Sequence, residues 1–290
     1  MAQTPGGTEN SSSSRFAGVH GIKVESTEKG QCTPQELKER FPELFSGKMG
    51  CIKGAEVDID PAVKPVRQAQ RPIAFHLREA VEKELQRQVE QDIIEPITCE
   101  MGPTPWVANL VVVIKNKNLP KDAKGKPIVD PNMKEPLDVR LTVDNRIQNK
   151  AIRRIKYPCK TVEDLVAQVN GARWFSKVDI IKAFHQYKLA EKSRNLTVFT
   201  THRGLFRYKR LHMGISCASE VFTERVRVIL DGLPGQVNMT DDILIFGKSK
   251  EEHQKNLMAV LKRLEEHGIT LNLDKCEFYR RGHFSNRGPL

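Results

Sequence analysis

Two short apolar segments that run into carboxylates constrain this chain more than any other feature. Gln236–Phe246 (QVNMTDDILIF) has two apolar arms meeting at Thr240, Asp241 and Asp242, a composition suited to the turn of a β-hairpin. Trp174–Ile180 (WFSKVDI) has the composition of a strand and carries Asp179 near its end. A carboxylate in an apolar strand is costly unless it is paired or bound to a metal. Neighbours in mid-strand face opposite sides of a sheet, but at a turn that alternation relaxes, so Asp241 and Asp242 are free to serve one site. Taken alone, the Asp-Asp pair is equally what turn formation selects. A third carboxylate from a separate strand shifts the balance, because Mg²⁺ takes oxygen ligands and phosphate partners. Two such ions roughly 4 Å apart clamp the attacking and leaving oxygens of a phosphoryl transfer. Spacing leaves both readings open.

The rest of the pattern sets these segments in an α+β layer. Thr33–Phe45 reads as a short helix with Pro34 at its first position. Leu77, Val81, Leu85, Val89 and Ile93 mark an amphipathic helix over Ala74–Asp92. Further helices are expected over Thr161–Val169, Ser216–Leu230 and Ser249–His267, the last closed by Gly268. Trp106–Ile114 and Val139–Val143 form a long hairpin with basic arms around a polar, proline-containing loop. Leu196–Thr201 and Leu205–Arg210 flank a His-Arg-Gly turn, and Ile269, Leu271 and Leu273 alternate in a last strand. Asp58–Arg71 reads as an extended linker, and the Gly- and Ser-rich first thirty residues as a disordered lead-in. The order implies helices packed on an antiparallel sheet.

Charge adds a location. Residues 1–100 carry net −3, residues 101–160 net +8 and residues 161–290 net +6. A basic surface of this kind is either a solubility device or a track for a polyanion. Val107–Ile114, interrupted by Asn109, is far short of the roughly 18–20 apolar residues of a membrane span. With no apolar signal core in the first thirty residues, the chain is expected to be intracellular, cytoplasmic or nuclear, and not secreted. Cys32, Cys51, Cys99, Cys159, Cys217 and Cys276 are scattered, which argues against a disulfide framework and a zinc cluster. His253, His267 and His283 lack ligand spacing and read as surface or structural residues.

The segments VDIIKAFHQYKL, FTTHRGLFRYKRLHMGISCASEVF, NMTDDILIFGKSKEEHQKNL and GITLNLDKCEF stand in the order and spacing of a reverse transcriptase, and resemble most the Pol polyprotein of gypsy-type LTR retrotransposons. FPELFSG, LREAVEKELQRQVEQDIIEP, GPTPWVANLVVVIKNK and RLTVDNRIQNKAI resemble the upstream spacer and fingers, so the likeness spans about residues 35–278. It implies a right-hand polymerase fold of fingers and palm, ending before the thumb. The divisions implied are a leader over 1–32, spacer helices over 33–95, fingers and palm over 96–278, and a tail unlike the family over 279–290. It also implies an RNA or DNA template with primer, dNTPs as substrates, and two Mg²⁺ ions, or Mn²⁺ in their place.

By the same resemblance, Asp179, Asp241 and Asp242 are the metal-binding and catalytic carboxylates, with Asp242 the lesser participant. Phe184 falls on the aromatic sugar gate that selects dNTPs; otherwise it is ordinary core. Arg140 falls on the fingers arginine that grips the triphosphate, a task suited to a guanidinium. Lys115 and Lys117 lie near the fingers lysine, with Asn116 in the middle of the family's triple-Lys run. Met213 and Gly214 lie in the box beside the nucleotide pocket, Gly214 fitting a close approach of backbone to substrate. His212, Met213, Ser219 and Met239 depart from the family's usual residues. Asp144 and Arg146 resemble a structural Asp-x-Arg. No protease box, RNase H carboxylate set or integrase zinc cluster is read in the sequence. The second reading is a catalytically silent remnant that binds nucleic acid non-specifically.

Overall fold

The computed structural model describes residues 22–25, 32–115, 137–154, 167–239 and 242–284. Its strands are β1 (Ile22–Glu25), β2 (Ile52–Ala55), β3 (Ile94–Pro96), β4 (Ala108–Ile114), β5 (Val139–Asp144), β6 (Trp174–Asp179), β7 (Tyr187–Leu189), β8 (Phe199–Thr201), β9 (Gly204–Tyr208), β10 (Gln236–Met239), β11 (Asp242–Gly247) and β12 (Glu277–Phe284). The helices that matter here are α1 (Pro34–Arg40), α2 (Arg78–Glu90), α3 (Ala218–Ile229) and α4 (Lys250–Glu266).

The helices start and stop where their sequences dictate. Thr33 caps α1 in a reciprocal capping box with Glu36, and Ser249 accepts a hydrogen bond from the Glu252 amide at the start of α4. Gly268, at φ +69°, supplies the left-handed turn after α4.

One sheet runs β1-β12-β6-β11-β10, antiparallel throughout. A second runs β3-β9-β8-β4-β5, and contains the expected hairpins β4–β5 and β8–β9. Two pairs depart from the antiparallel expectation: β4–β8 and the small β2–β7 sheet are parallel. The first sheet is the palm and the second the fingers of a right-hand polymerase fold.

Strand alternation gives the palm sheet two unlike faces. Val178, Ile243 and Ile245 point one way and are fully buried with Phe222, Val226 and Ile229 of α3 and Leu257, Val260 and Leu261 of α4. Lys177, Asp179, Asp242 and Leu244 lie on the opposite face. Burial of the first face, at about 25 cal/mol per Å² of apolar surface, holds the sheet to its helices. The second face is apolar at one end, where Phe175, Leu244 and Phe246 pack with Val169 and Ala172, and carries charge at the other, at Lys177, Asp179 and Asp242.

Three sequence expectations change. The last strand is not Ile269–Leu273. Those residues make only an Ile180–Leu271 bridge, and Leu273–Lys275 is a 3₁₀ turn. Their backbone is used locally: Leu271 N–H donates to Leu44 O, Asn272 N–H to Asp179 O, and the Gln186 amide takes both groups of Thr270. The strand instead begins at Glu277. Within the leader read as disordered, Ile22–Glu25 pairs with β12. Finally, Asp242 belongs to the strand β11 rather than to the turn, because it pairs with Met239. The helix expected over Thr161–Val169 lies outside the described residues except for 167–169, as does most of the loop between β4 and β5.

Candidate active site

Asp179, the last residue of β6, stands directly opposite Asp242, the first residue of β11. Cross-strand partners share a face, so the two carboxylates project from the open side of the palm sheet. Asp241, the residue before Asp242 in sequence, lies outside the described residues. Burial is the largest influence on Asp179 and raises its pKa above the ordinary carboxylate value; Lys275 pulls it down and Asp242 pushes it up.

Two lysines answer this negative charge, and sequence patterning did not single out either. Lys177 Nζ is 2.7 Å from Asp242 Oδ2, and Lys275 Nζ is 3.6 Å from Asp179 Oδ1. Lys177 was legible in principle, because it is two residues before Asp179 and alternation puts both on one face. Lys275 comes from the 3₁₀ turn after α4, a contact far apart in sequence with no local signal. The same turn braces the backbone, since Asn272 N–H donates to Asp179 O over 2.9 Å.

The chain turns sharply after Asp179. Lys182 sits in the left-handed region (φ 44°, ψ 47°), and Ala183–Gln186 forms a 3₁₀ turn. Gln186, fully buried, pins that turn by donating to Ile181 O and Thr270 O and accepting from Thr270 N–H. This fixes Phe184, which is half-buried and meets Phe222 of α3 edge to face at 5.6 Å and 82°. The ring therefore has a packed side, whichever role its other side plays.

In the fingers, Arg140 is exposed on β5 opposite Val113. Lys115 closes the base of the β4–β5 hairpin: its N–H donates to Asp138 O, and its Nζ is 2.9 Å from Asp138 Oδ1. Lys117 lies outside the described residues. Asp144 gathers Arg146, through two 2.7 Å hydrogen bonds, and Arg71 at 3.4 Å. Arg146 beside it is the main reason its carboxyl falls to about 2.

The Leu211–Ser219 box is organised around its departures. His212 is buried and stacked on Tyr208, ring centroids 3.9 Å apart. Its Nδ1 accepts from Gly214 N–H at 3.1 Å, which assigns the ring proton to Nε2. Nε2 lies 3.4 Å from the Asn145 amide, whose other end has no partner. Turning that amide over lets its oxygen accept the proton. Gly214 is required by these neighbours: a Cβ there would lie 2.5 Å from Asn145 Nδ2 and 2.7 Å from His212 Cε1. Crowding by the chain's own side chains accounts for this glycine before any substrate is considered. Met213, by contrast, is 80% exposed.

Several groups stand apart from this site. His253 is buried under the palm sheet, bonded to Ser176 Oγ at 3.0 Å and packed on Tyr279. His267 is tied to its own helix, its Nδ1 lying 2.9 Å from Arg263 O. The side chains of His283 and Met239 lie outside the described residues. A cleft of about 960 Å³ beside α3, lined by Val57, Trp106, Leu196, Val221 and Val228, includes none of the candidate residues. Among the described residues no three metal-ligating side chains converge, Asp241 being outside them.

A palm sheet with paired carboxylates on its open face, joined to a fingers sheet, defines a nucleic-acid polymerase fold. Residues 130–285, just over half of the chain, match the reverse transcriptase (RNA-dependent DNA polymerase) family, and the chain belongs to that family. An uncharacterised protein of Caenorhabditis elegans is 32% identical over 249 residues, covering 84% of this chain and 18% of its own length. The retrovirus-related Pol polyprotein from transposon 412 of Drosophila melanogaster is 25% identical over 279 residues, covering 89% of this chain and 21% of its own. The chain thus spans about a fifth of these relatives. The foamy viral protease-reverse transcriptase, solved with double-stranded DNA, matches the fold at TM-score 0.64 and 22% identity, over 85% of this chain and 40% of its own. No helix among the described residues is long and apolar enough to cross a membrane.

Proposed function

We propose that this chain is the fingers and palm of an RNA-directed DNA polymerase that adds dNTPs to a primer 3′-OH on an RNA or DNA template. The observation that carries the reading is the register of Asp179 against Asp242, with Asp241 adjoining. The donor set fits a hard divalent cation: carboxylate oxygens on one open sheet face, their charge drawing two lysines. Asp179, Asp241 and Asp242 would hold Mg²⁺, or Mn²⁺ in its place. Ions held there would supply Lewis acidity to the primer hydroxyl and positive charge to the departing pyrophosphate. The protein's own part is positional. Phe184, braced by Phe222 and the Gln186-pinned turn, would stand against the sugar. Arg140 and Lys115, with Lys117, would face the triphosphate, and Met213 and Gly214 would border the nucleotide.

The divisions we assign are a leader over 1–32, a spacer over 33–95, fingers and palm over 96–278, and a tail over 279–290. Residues 101–160 carry net +8 in the sequence, half of it on residues outside those described, and this charge supports a track for template phosphates. The foamy viral protease-reverse transcriptase, which shares this fold, has also been solved in complex with RNA/DNA hybrid, which supports the same class of partner. The described cysteines are all free thiols, which suits an intracellular, cytoplasmic or nuclear, setting.

The test is primer extension on poly(rA)–oligo(dT) with Mg²⁺ or Mn²⁺, comparing the chain with Asp241→Asn. Extension that falls by about 10³-fold in the variant supports the reading. Equal background in both rejects it in favour of the second reading, non-catalytic binding of nucleic acid, which the departures at His212, Met213, Ser219 and Met239 favour. That second reading requires affinity to fall with rising salt.

A further inference from the structure

We propose that Arg210 is the positioning residue of the nucleotide pocket: its buried guanidinium ties the turn that carries Phe184 to the chain entering the Leu211–Ser219 box, and so sets how sharply dNTPs are told from rNTPs. This rests on the polymerase reading and adds to it a residue that touches no substrate.

Arg210 is 5% exposed, and three separate segments meet on its side chain. Nη1 donates to Gly50 O at 2.7 Å, in the spacer before β2, and to His185 O at 3.0 Å, in the 3₁₀ turn after β6. Nε donates to Asp92 O at 2.9 Å, at the corner between α2 and β3, with Nη2 3.4 Å from Asp92 Oδ2. A buried charge is tolerated when it is paired and hydrogen-bonded, and this one is both.

The corners it grips are ones that L residues rarely adopt. Asp92 sits at φ 56°, and Lys182, which opens the turn, at φ 44°. Such backbone persists only where its surroundings over-determine it. The anchor itself is fixed on β7, because Leu189 N–H donates to Lys209 O and Leu211 N–H to Tyr187 O. The circuit closes on the far side of the turn. Gly50 N–H donates to Thr270 Oγ1, and Thr270 is bonded in turn to Gln186, the other pin of the turn.

Charge alone does not account for Arg210. Asp92 already has Lys209 beside it and Lys188 at 3.7 Å. What a guanidinium adds is a planar fork that serves three carbonyls at once, which the point charge of a lysine cannot. The His185 carbonyl is one residue beyond Phe184, so a slip there moves the ring. A misplacement of about 1 Å made away from the chemistry costs on the order of 10²-fold in rate.

The experiment compares the full chain with Arg210→Met, Arg210→Lys and Val260→Ala, the last a buried residue of α4 outside this circuit. It reads amide hydrogen exchange over residues 182–187 without substrate, and primer extension with dNTPs and rNTPs. In Arg210→Met the turn exchanges about tenfold faster. Its KM for dNTPs rises about tenfold, and its preference for dNTPs over rNTPs falls about fivefold. Val260→Ala lowers the melting temperature but changes the turn's exchange and the preference by less than about twofold. Arg210→Lys keeps a charge and loses the fork. It moves both readouts in the direction of the Met variant by about threefold or more, and carries the test if that variant does not fold. Unchanged exchange in the turn, a preference that falls equally in Val260→Ala, or a Lys variant indistinguishable from the unaltered chain overturns the proposal. If the unaltered chain extends no primer, the polymerase reading falls and takes the selectivity role with it, while exchange still decides whether Arg210 holds the turn.

Discussion

Asp179 and Asp242 are direct cross-strand partners at the ends of β6 and β11, and each is met by a lysine, Lys275 and Lys177 respectively. Burial, the largest influence, with help from Asp242, leaves the Asp179 pKa raised in spite of both lysines. An acid with a raised folded pKa keeps its proton longer in the fold than in the unfolded chain. Its contribution to stability is present below the unfolded value and declines as pH rises through the folded one. At neutral pH the penalty is fully in place. Asp179→Asn therefore melts at a higher temperature than the unaltered chain at pH 7 without metal, and the difference shrinks toward pH 4. A lower melting temperature at pH 7 would show that the lysine pairing outweighs burial.

Two buried imidazoles, His212 and His253, and the half-buried one of His185 give the fold an opposite pH dependence. Burial, the first cause in each, lowers His253 and His185 to about 4 and His212 to about 3. A base whose folded pKa is depressed binds its proton first in the unfolded chain. Stability is therefore lost as pH falls below about 6.5, until the folded state protonates too. Each histidine steepens the slope by at most about 1.4 kcal/mol per pH unit. Urea midpoints between pH 7 and 4.5 fall steadily in the unaltered chain. His253→Gln flattens that fall by roughly one proton, once its own loss of stability at pH 7 is subtracted. An unchanged slope would mean that His253 takes up its proton in the fold as readily as in the unfolded chain.

The box after β9 predicts its own substitutions. Gly214→Ala drives a Cβ into the Asn145 amide and the His212 ring, both buried, so neither neighbour can retreat cheaply. The expected loss is about 1–3 kcal/mol by chemical denaturation. His212→Ala loses the stack on Tyr208 and orphans the Gly214 N–H, at about 2–4 kcal/mol. Because both changes touch one cluster, the Gly214→Ala penalty shrinks in the His212→Ala background. Strict additivity would show that the clash lies elsewhere.

What could be read from the sequence follows the range of the forces involved. The Thr33 and Ser249 caps, the stripe of α2 and the hairpins β8–β9 and β10–β11 depend on neighbours within a few residues, and all are present. β4 and β5, whose innermost pair is Ile114 and Val139, were legible from their own strand composition rather than from the turn between them. Ile269–Leu273 has the pattern of a strand because every second residue is apolar. Ile269 and Leu271 are buried and Leu273 half-buried, but the segment's hydrogen-bonding groups are taken by Leu44, Asp179 and Gln186 from elsewhere in the chain. The parallel β4–β8 pairing and the Lys275–Asp179 contact are equally long-range, and no local pattern announces them. Asp179 itself was legible, since a carboxylate ending an apolar strand demands a reason. The reason for Gly214 was not, because it lies in the packing of His212 and Asn145.

Phe184 tests the polymerase reading at a residue outside the carboxylates. Its ring is fixed edge to face on Phe222, and the turn that carries it is pinned by Gln186, so its position does not depend on a substrate. In the sugar-gate role a smaller side chain opens room for a ribose 2′-OH while the fold survives. Phe184→Val costs about 2 kcal/mol of stability from lost packing against α3. In primer extension it lowers the preference for dNTPs over rNTPs by about tenfold or more, mainly through better use of rNTPs. Phe222→Leu removes the brace without touching the gate atoms, and relaxes selectivity less than it lowers stability. If Phe184→Val loses stability but keeps its full discrimination against rNTPs, Phe184 is a core residue only, and selection against the 2′-OH must be sought at another side chain.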